Sequence, residues 1–145
     1  MESLMLEGKV GRIIFSRIKT GEDLAEAIKE RAEKSGVRAG LLIVIGGLKN
    51  AVLGYYKEGA HIHIHLDGPL EIASCVGNIA VDENGETIIH AHIIVTNGEG
   101  KAFGGHLLRG SLVGTTAELV MVEALGVDLK RSFDEASKLK LLNLE

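Results

Sequence analysis

Hydrophobic and polar positions alternate with a period of two along most of this chain, a pattern typical of β-strands. Runs of β-branched, aromatic and other apolar residues begin at Val10 and recur to the C-terminal segment, separated by glycine-rich or Asn/Asp-containing turns. One segment instead has a helical pattern, because Leu24, Ile28 and Ala32 recur with charged residues between them. The chain therefore predicts an α+β fold: a mostly antiparallel sheet of about seven to eight strands with one main flanking α-helix at about residues 21–35.

Turn-forming residues predict where these elements end. Thr20 is followed three residues later by an acid, which resembles a capping box and predicts the start of the helix, and Gly36 predicts its end. The segment Asp67-Gly68-Pro69 predicts a turn between two strands. Gly46-Gly47 lies inside a long apolar run and predicts a bulge or a sharp bend there.

Composition narrows the class of protein. A chain of 145 residues, 25% of them charged, fits a single domain over residues 1–145 with a sizeable core. No apolar run approaches the roughly eighteen residues of a membrane span, and no signal peptide is recognisable, so we expect a cytoplasmic protein that does not enter a membrane. The single Cys75 has small and apolar neighbours and predicts a buried thiol.

The charge distribution bears on nucleic-acid binding. The net charge is −4, and the basic residues are scattered rather than clustered. Proteins that grip phosphates usually present a basic face, because counterion release dominates that affinity. Composition therefore argues against autonomous DNA binding, although oligomerisation could assemble a local basic patch.

The segment Ile88–Gly110 carries the candidate chemistry. His90 and His92 lie two residues apart in an apolar strand, so their side chains share one face. His106 follows His92 by 14 positions across a turn near Gly98, and a hairpin that closes there brings the third imidazole beside the first two. Three histidines with an open fourth position suit a catalytic-type zinc or another divalent ion. The alternative is a set of half-buried strand histidines with ordinary hydrogen-bond partners.

A second histidine row competes with this site. His61, His63 and His65 alternate with apolar residues and share one strand face. Along one strand they spread over about 13 Å, so one ion cannot take all three. The row predicts a solvated or interface face.

Three charged residues are further candidates for contact with a ligand or a ligating imidazole. Glu118 is a carboxylate inside an apolar strand and could orient an imidazole or act as a general base. An ion pair with Arg17 or Arg109 explains it equally well. The chain has no nucleophile elbow, phosphate loop or Cys-x-x-Cys motif, so whether it is an enzyme stays open.

Six motifs occur in a specific order along the chain: the opening Gly11–Leu24, I-G-G-L at Ile45–Leu48, G-P-L-E-I at Gly68–Ile72, G-N-I at Gly77–Ile79, H-A-H at His90–His92, and G-G-H-L-L-R-G at Gly104–Gly110. Together they resemble the PPC (plants and prokaryotes conserved) domain, which also occurs in plant AT-hook nuclear proteins. The resemblance covers about residues 8–142.

The resemblance implies an antiparallel α+β fold assembled as a homotrimer. It also implies that His90, His92 and His106 correspond to the histidines through which prokaryotic members are thought to bind a metal, with zinc as the expected ion. The family label is DNA binding, although the AT-hook contacts DNA in the plant proteins and no R-G-R-P hook is present here. The resemblance thus predicts a stand-alone DNA-binding or regulatory protein, with a metal-dependent small-molecule-binding protein or enzyme as the alternative.

Overall fold

One helix and eight strands form the protein, as the computed structural model describes it over residues 4–145. The α+β prediction, with about seven to eight strands and one main helix, is confirmed. No helix within these residues is long and apolar enough to cross a membrane. In chain order the elements are β1 (Lys9–Lys19), α1 (Leu24–Ser35), β2 (Gly40–Lys57), β3 (Ala60–Val81), β4 (Thr87–Thr96), β5 (Ala102–Leu107), β6 (Val113–Leu125), β7 (Lys130–Asp134) and β8 (Leu139–Asn143).

The strands belong to one sheet in the order β1-β6-β2-β5-β4-β3-β7-β8. The pairings are antiparallel apart from a single parallel contact between β3 and β7, at Val81 and Lys130. Because β2 also pairs with β3, the strands β2, β5, β4 and β3 form a closed cycle. This closure holds the β4–β5 hairpin, which carries the candidate histidines, between two long strands.

The helix covers only one face of the sheet. Its apolar residues are buried against β1, β4 and β6, where they meet sheet residues such as Leu119 and Met121. Cys75 also belongs to this core, as predicted, and its burial raises the pKa of the thiol to about 12. The opposite face carries large apolar side chains that remain exposed in a single chain, among them Phe15 and Ile43.

The helix begins later than the sequence pattern predicts. Its first residue is Leu24 rather than a residue near 21, and the N-cap is Asp23, whose Oδ1 accepts a hydrogen bond from the Glu26 amide at 3.1 Å. The prediction of Thr20 as the cap is wrong, because its hydroxyl donates to the Thr115 carbonyl instead. The hydroxyl of Thr20 thus bonds to the backbone of β6 instead of capping the helix, as the local pattern predicted.

Replacing Asp23 by alanine is expected to destabilise the fold by about 2 kcal/mol, the upper range for a lost cap. The reason is that Asp23 also accepts a hydrogen bond from the Gly110 amide at 2.6 Å, so it joins the helix to the loop after β5. Urea denaturation measures the change. Asp23→Asn keeps one acceptor oxygen and should lose clearly less. Equal losses in the two variants, or a negligible loss in Asp23→Ala, would contradict this role.

The turn predicted at Asp67-Gly68-Pro69 is wrong, because β3 continues through it. Two β3 residues there lie opposite one β2 residue, between the pairing positions of Leu48 and Asn50. The irregularity is therefore a β-bulge within a paired strand. A Cβ on Gly68 would lie 2.1 Å from the Lys49 carbonyl oxygen, which explains the glycine at this close approach. The bulge or bend predicted at Gly46-Gly47 is confirmed as a bulge, since the β2–β3 register shifts between Val44 and Gly46 and the β2–β6 register shifts between Gly46 and Leu48.

Candidate metal centre

The β4–β5 hairpin brings the three candidate histidines together. His92 pairs directly with His106 across the hairpin, and His90 lies two residues earlier on the same face of β4. The turn is set by Asn97, whose side-chain oxygen accepts hydrogen bonds from the Glu99 and Lys101 amides at 3.0 Å each. Hairpin register therefore places His106 where the sequence pattern expected it.

The three imidazoles form a compact cluster. Ring centroids are 5.2 Å apart for His90 and His92, 5.0 Å for His90 and His106, and 5.6 Å for His92 and His106. One ring nitrogen of each lies within 4.8 Å of those of the other two. Tetrahedral zinc with bonds of 2.0–2.1 Å needs ligand nitrogens about 3.3 Å apart. Modest side-chain rotation closes this difference, so the cluster fits a three-nitrogen metal site.

Burial favours the neutral form of His90 and His106, which is the state that binds metal. Burial lowers the pKa of His106 to about 4, with the neighbouring His90 and His61 adding to the effect. It also lowers the pKa of His90, where nearby Arg131 contributes next. His92 is exposed at the outer edge of the cluster. At neutral pH, His90 and His106 therefore offer lone pairs rather than positive charge.

A fourth histidine lies against the cluster. The ring of His61 is 4.6 Å from that of His106, whereas His63 and His65 are exposed, as expected for the surface row. Gly54 makes this contact possible, because a Cβ there would lie 3.1 Å from Cδ2 of His61. The expected solvated face is thus wrong for His61, which is half-buried against His106, whereas the alternative of an interface face stays a prediction. The sequence could not distinguish His61 from His63 and His65, because all three alternate with apolar residues in the same way.

Sequence reasoning also missed Arg131, which lies directly against the cluster. Its Nη2 atom is 3.1 Å from Nδ1 of His90 and donates to the Asn78 side-chain oxygen at 2.8 Å. Its Nη1 atom donates to the Lys140 carbonyl at 2.9 Å. Arg131 is only 6% exposed. Nothing in the local sequence around Arg131 distinguishes it from a surface arginine.

The contact with Arg131 determines the tautomer of His90. A guanidinium group only donates hydrogen bonds, so Nδ1 of His90 must accept. Neutral His90 therefore carries its proton on Nε2 in this arrangement. The lone pair that a metal ion would need is, in the absence of metal, used by Arg131.

The β7–β8 hairpin carries Arg131, and two polar contacts hold it beside the histidines. The Tyr56 hydroxyl donates to the Ser137 carbonyl at 2.9 Å, and Lys140 forms an ion pair with Asp82 at 2.8 Å. The hydrogen bond from Lys140 is the largest of the effects that lower the pKa of Asp82 to about 2. Between hairpin and histidines lies a cavity of about 360 Å³, whose walls include Tyr56, His61, Ile88, Ile89, Arg131 and Leu141.

The other three candidate residues lie elsewhere. Glu118 is paired across strands with Arg17, on the exposed sheet face between β1 and β2. Arg109 forms an ion pair with Glu26 of α1. None of the three lines the cavity beside the histidines. The structure therefore brings together the histidines and leaves Glu118, Arg17 and Arg109 apart from them.

Fold and site together define an antiparallel α+β domain with a three-histidine cluster on a central hairpin. Residues 5–125 match the profile of the Plants and Prokaryotes Conserved (PCC) domain. The chain belongs to this family, which confirms the family expected from its motifs.

Solved structures agree with this assignment over nearly the whole chain. A plant- and prokaryote-conserved protein from Pyrococcus horikoshii is 33% identical with a TM-score of 0.88, covering 99% of this chain and 97% of that one. A metal-containing protein from Archaeoglobus fulgidus is 30% identical with a TM-score of 0.86, covering 96% and 98%. A protein from Ralstonia eutropha whose name proposes DNA binding is 27% identical with a TM-score of 0.79, covering 90% of each chain.

Two curated relatives are much longer proteins. Both are bifunctional GlmU proteins from Synechococcus strains, 29% identical over 135 residues and 30% identical over 123 residues. These matches cover 92% and 83% of this chain but only 21% and 18% of the relatives. The chain therefore spans about a fifth of the length of the curated relatives it matches.

Proposed function

We propose that this protein binds one divalent metal ion, zinc, through His90, His92 and His106. The observation that carries the proposal is the convergence of three ring nitrogens within 4.8 Å on one hairpin. The similar protein from Archaeoglobus fulgidus is described as metal-containing, which supports the same role here.

The chemistry of the donor set favours zinc. All three ligands are imidazole nitrogens, which suit zinc and other late divalent ions better than magnesium or calcium. Three protein ligands leave a fourth position open, as in catalytic rather than structural zinc sites. The cavity beside His90 gives that position access to a small molecule. A metal-dependent small-molecule-binding protein or enzyme is therefore the form of this function that the geometry favours.

The metal content of the full chain tests the proposal. Protein purified without a histidine tag, loaded with zinc and desalted, should retain about one ion per chain by elemental analysis. A chelator should remove the ion, and zinc should restore it. Retention near zero after loading would overturn the proposal.

We also propose that the chain assembles as a homotrimer through its uncovered sheet face. Directly paired side chains form a continuous row across six strands on this face, in the order Phe15, Val120, Ile43, Val76, His92 and His106. Phe15 is 77% exposed and Val76 52% exposed. A contiguous apolar surface of this kind favours burial against another subunit. The row ends at the histidine cluster, so assembly would shield that site from one side.

A DNA-associated regulatory role is the second candidate, and its support is the name of the similar Ralstonia eutropha protein. The charges of this chain disfavour it. The net charge is −4, and several basic side chains are already paired with acids: Arg12 with Glu123, Arg31 with Glu22, Arg109 with Glu26, and Lys140 with Asp82.

We expect duplex DNA to bind this protein no more tightly than about 100 μM at physiological salt, the weak end of non-specific binding. Fluorescence anisotropy with a labelled duplex over a salt series measures both affinity and salt dependence. Affinity in the nanomolar range that falls steeply with salt would instead establish a phosphate-binding surface. Zinc-loaded and metal-free protein should both be titrated, since the metal adds local positive charge.

A further inference from the structure

Arg131 is a buried cation, and no carboxylate of the described residues pairs with it. It is 6% exposed, and among residues 4–145 its Nε atom has no hydrogen-bond partner. Its acceptors are the Asn78 side chain, the Lys140 carbonyl and His90, all of them neutral. Buried charges in proteins are normally paired, because desolvating an unpaired ion is costly. The missing countercharge is therefore expected to come from outside the chain.

Metal binding increases this deficit. If Nδ1 of His90 coordinates the ion, its lone pair is no longer available to Arg131. If Nε2 coordinates instead, neutral His90 carries its proton on Nδ1, which then cannot accept a hydrogen bond. In either case Arg131 loses the contact with His90. A second N–H group of the buried guanidinium is then left beside the metal without an acceptor.

Within residues 4–145, the wall of the cavity contains no compensating acid. None of the residues that line it is aspartate or glutamate. The other cationic residue in the wall, Lys140, is already paired with Asp82 at 2.8 Å and Glu83 at 3.3 Å. A divalent ion held by neutral histidines, together with Arg131, would thus bring a local charge of about +3. An anion at the open coordination position would contact both cations and lower this local charge.

We propose that this cavity binds a small carboxylate, held by Arg131 and by the open position of the metal. The inference rests on the metal site proposed above and names the class of its ligand. A carboxylate matches the planar guanidinium group. Part of the cavity wall is apolar, formed by Ile88, Ile89 and Leu141, which suits the short hydrocarbon part of an organic acid better than the hydrated oxygens of free phosphate.

Calorimetric titration of the zinc-loaded full chain with sodium acetate, at constant ionic strength set by chloride, tests this inference. Acetate should bind saturably at one site per chain, and inorganic phosphate should bind more weakly. Arg131→Gln should weaken acetate binding at least about tenfold, the effect of a lost charged hydrogen bond, while zinc content stays unchanged. Arg109→Gln is the control, because Arg109 is ion-paired with Glu26 outside the cavity and should leave acetate binding unchanged.

Arg131→Lys provides a second variant in case Arg131→Gln does not fold, which circular dichroism will show. It retains the charge and loses the guanidinium geometry, so acetate binding should weaken by a smaller factor. The inference is overturned if zinc-loaded wild type does not bind acetate, if both Arg131 variants bind it normally, or if phosphate is preferred. Failure of the metal site is seen separately, as absence of retained zinc. Arg131-dependent acetate binding by the metal-free chain would then still support the assignment of Arg131.

Discussion

A variant with both His90→Ala and His92→Ala is expected to lose its metal. Two of three imidazole nitrogens are removed from the cluster, and the remaining His106 is a single ligand. Removing a residue that only hydrogen-bonds to a metal ligand already lowers metal affinity about 10–100-fold. Removing two of the ligands themselves should therefore lower it at least about 1000-fold. Elemental analysis after zinc loading and desalting should therefore find almost no zinc in this variant.

The chain supplies a matched control for this experiment. His63 and His65 are also two residues apart on one strand face, but both are exposed and lie outside the cluster. A His63→Ala, His65→Ala variant also removes two imidazoles, in the same i,i+2 arrangement, and should retain its zinc. Unchanged zinc in the first variant, or equal losses in both, would exclude His90 and His92 as the ligands. Circular dichroism of both variants separates ligand loss from unfolding.

Replacing Ile43 by aspartate is expected to dissociate the protein into single chains. Ile43 lies at the centre of the apolar row, between Val120 and Val76, and is 44% exposed in one chain. Burying an unpaired carboxylate in an apolar subunit contact costs several kcal/mol. Light scattering coupled to size-exclusion chromatography should show wild type at three times the 15.5 kDa chain mass, and the variant at 15.5 kDa.

Phe133→Asp is the control for this substitution. Phe133 is 51% exposed but belongs to β7, outside the apolar row. The same charge placed there should leave the assembly intact. If wild type itself runs as a single chain, or if Ile43→Asp keeps the wild-type mass, the sheet face is not the assembly surface. Dissociation by both variants would point to a general loss of stability instead.

Most of the fold follows from local pattern. The helix over 24–35 was recognisable because its buried positions recur on one face, and Gly36 ends it in the left-handed conformation with φ 73°. Strand alternation likewise identified the paired segments. The predictions were wrong where a contact with a distant part of the chain replaced the local interaction that the pattern indicated. Thr20 is bonded to the Thr115 carbonyl instead of capping the helix, and continuous pairing with β2 converts the turn expected at Gly68 into a bulge.

In the candidate site, too, local pattern predicted some residues and not others. His90 and His92 share a face because the strand period is two, and His106 joins them because a short hairpin sets its own register. These relations extend over 16 residues at most and are contained in the sequence. Glu118 was attractive for its chemistry alone, yet it lies beside Arg17 on another part of the sheet. The chemical type of a residue, without its position in the fold, was therefore not enough to predict which residues lie next to the histidines.

The sequence by itself determined the family, the strand and helix pattern, and the meeting of three histidines on one hairpin, since all of these depend on local period and motif order. Only the tertiary structure decided what surrounds that hairpin. Because the sheet closes, the ring of His61 lies over Gly54 and contacts His106. The β7–β8 hairpin places Arg131 beside His90, although the two residues are 41 positions apart in the sequence. Such contacts depend on strand order and on how the chain folds back, which no local pattern specifies.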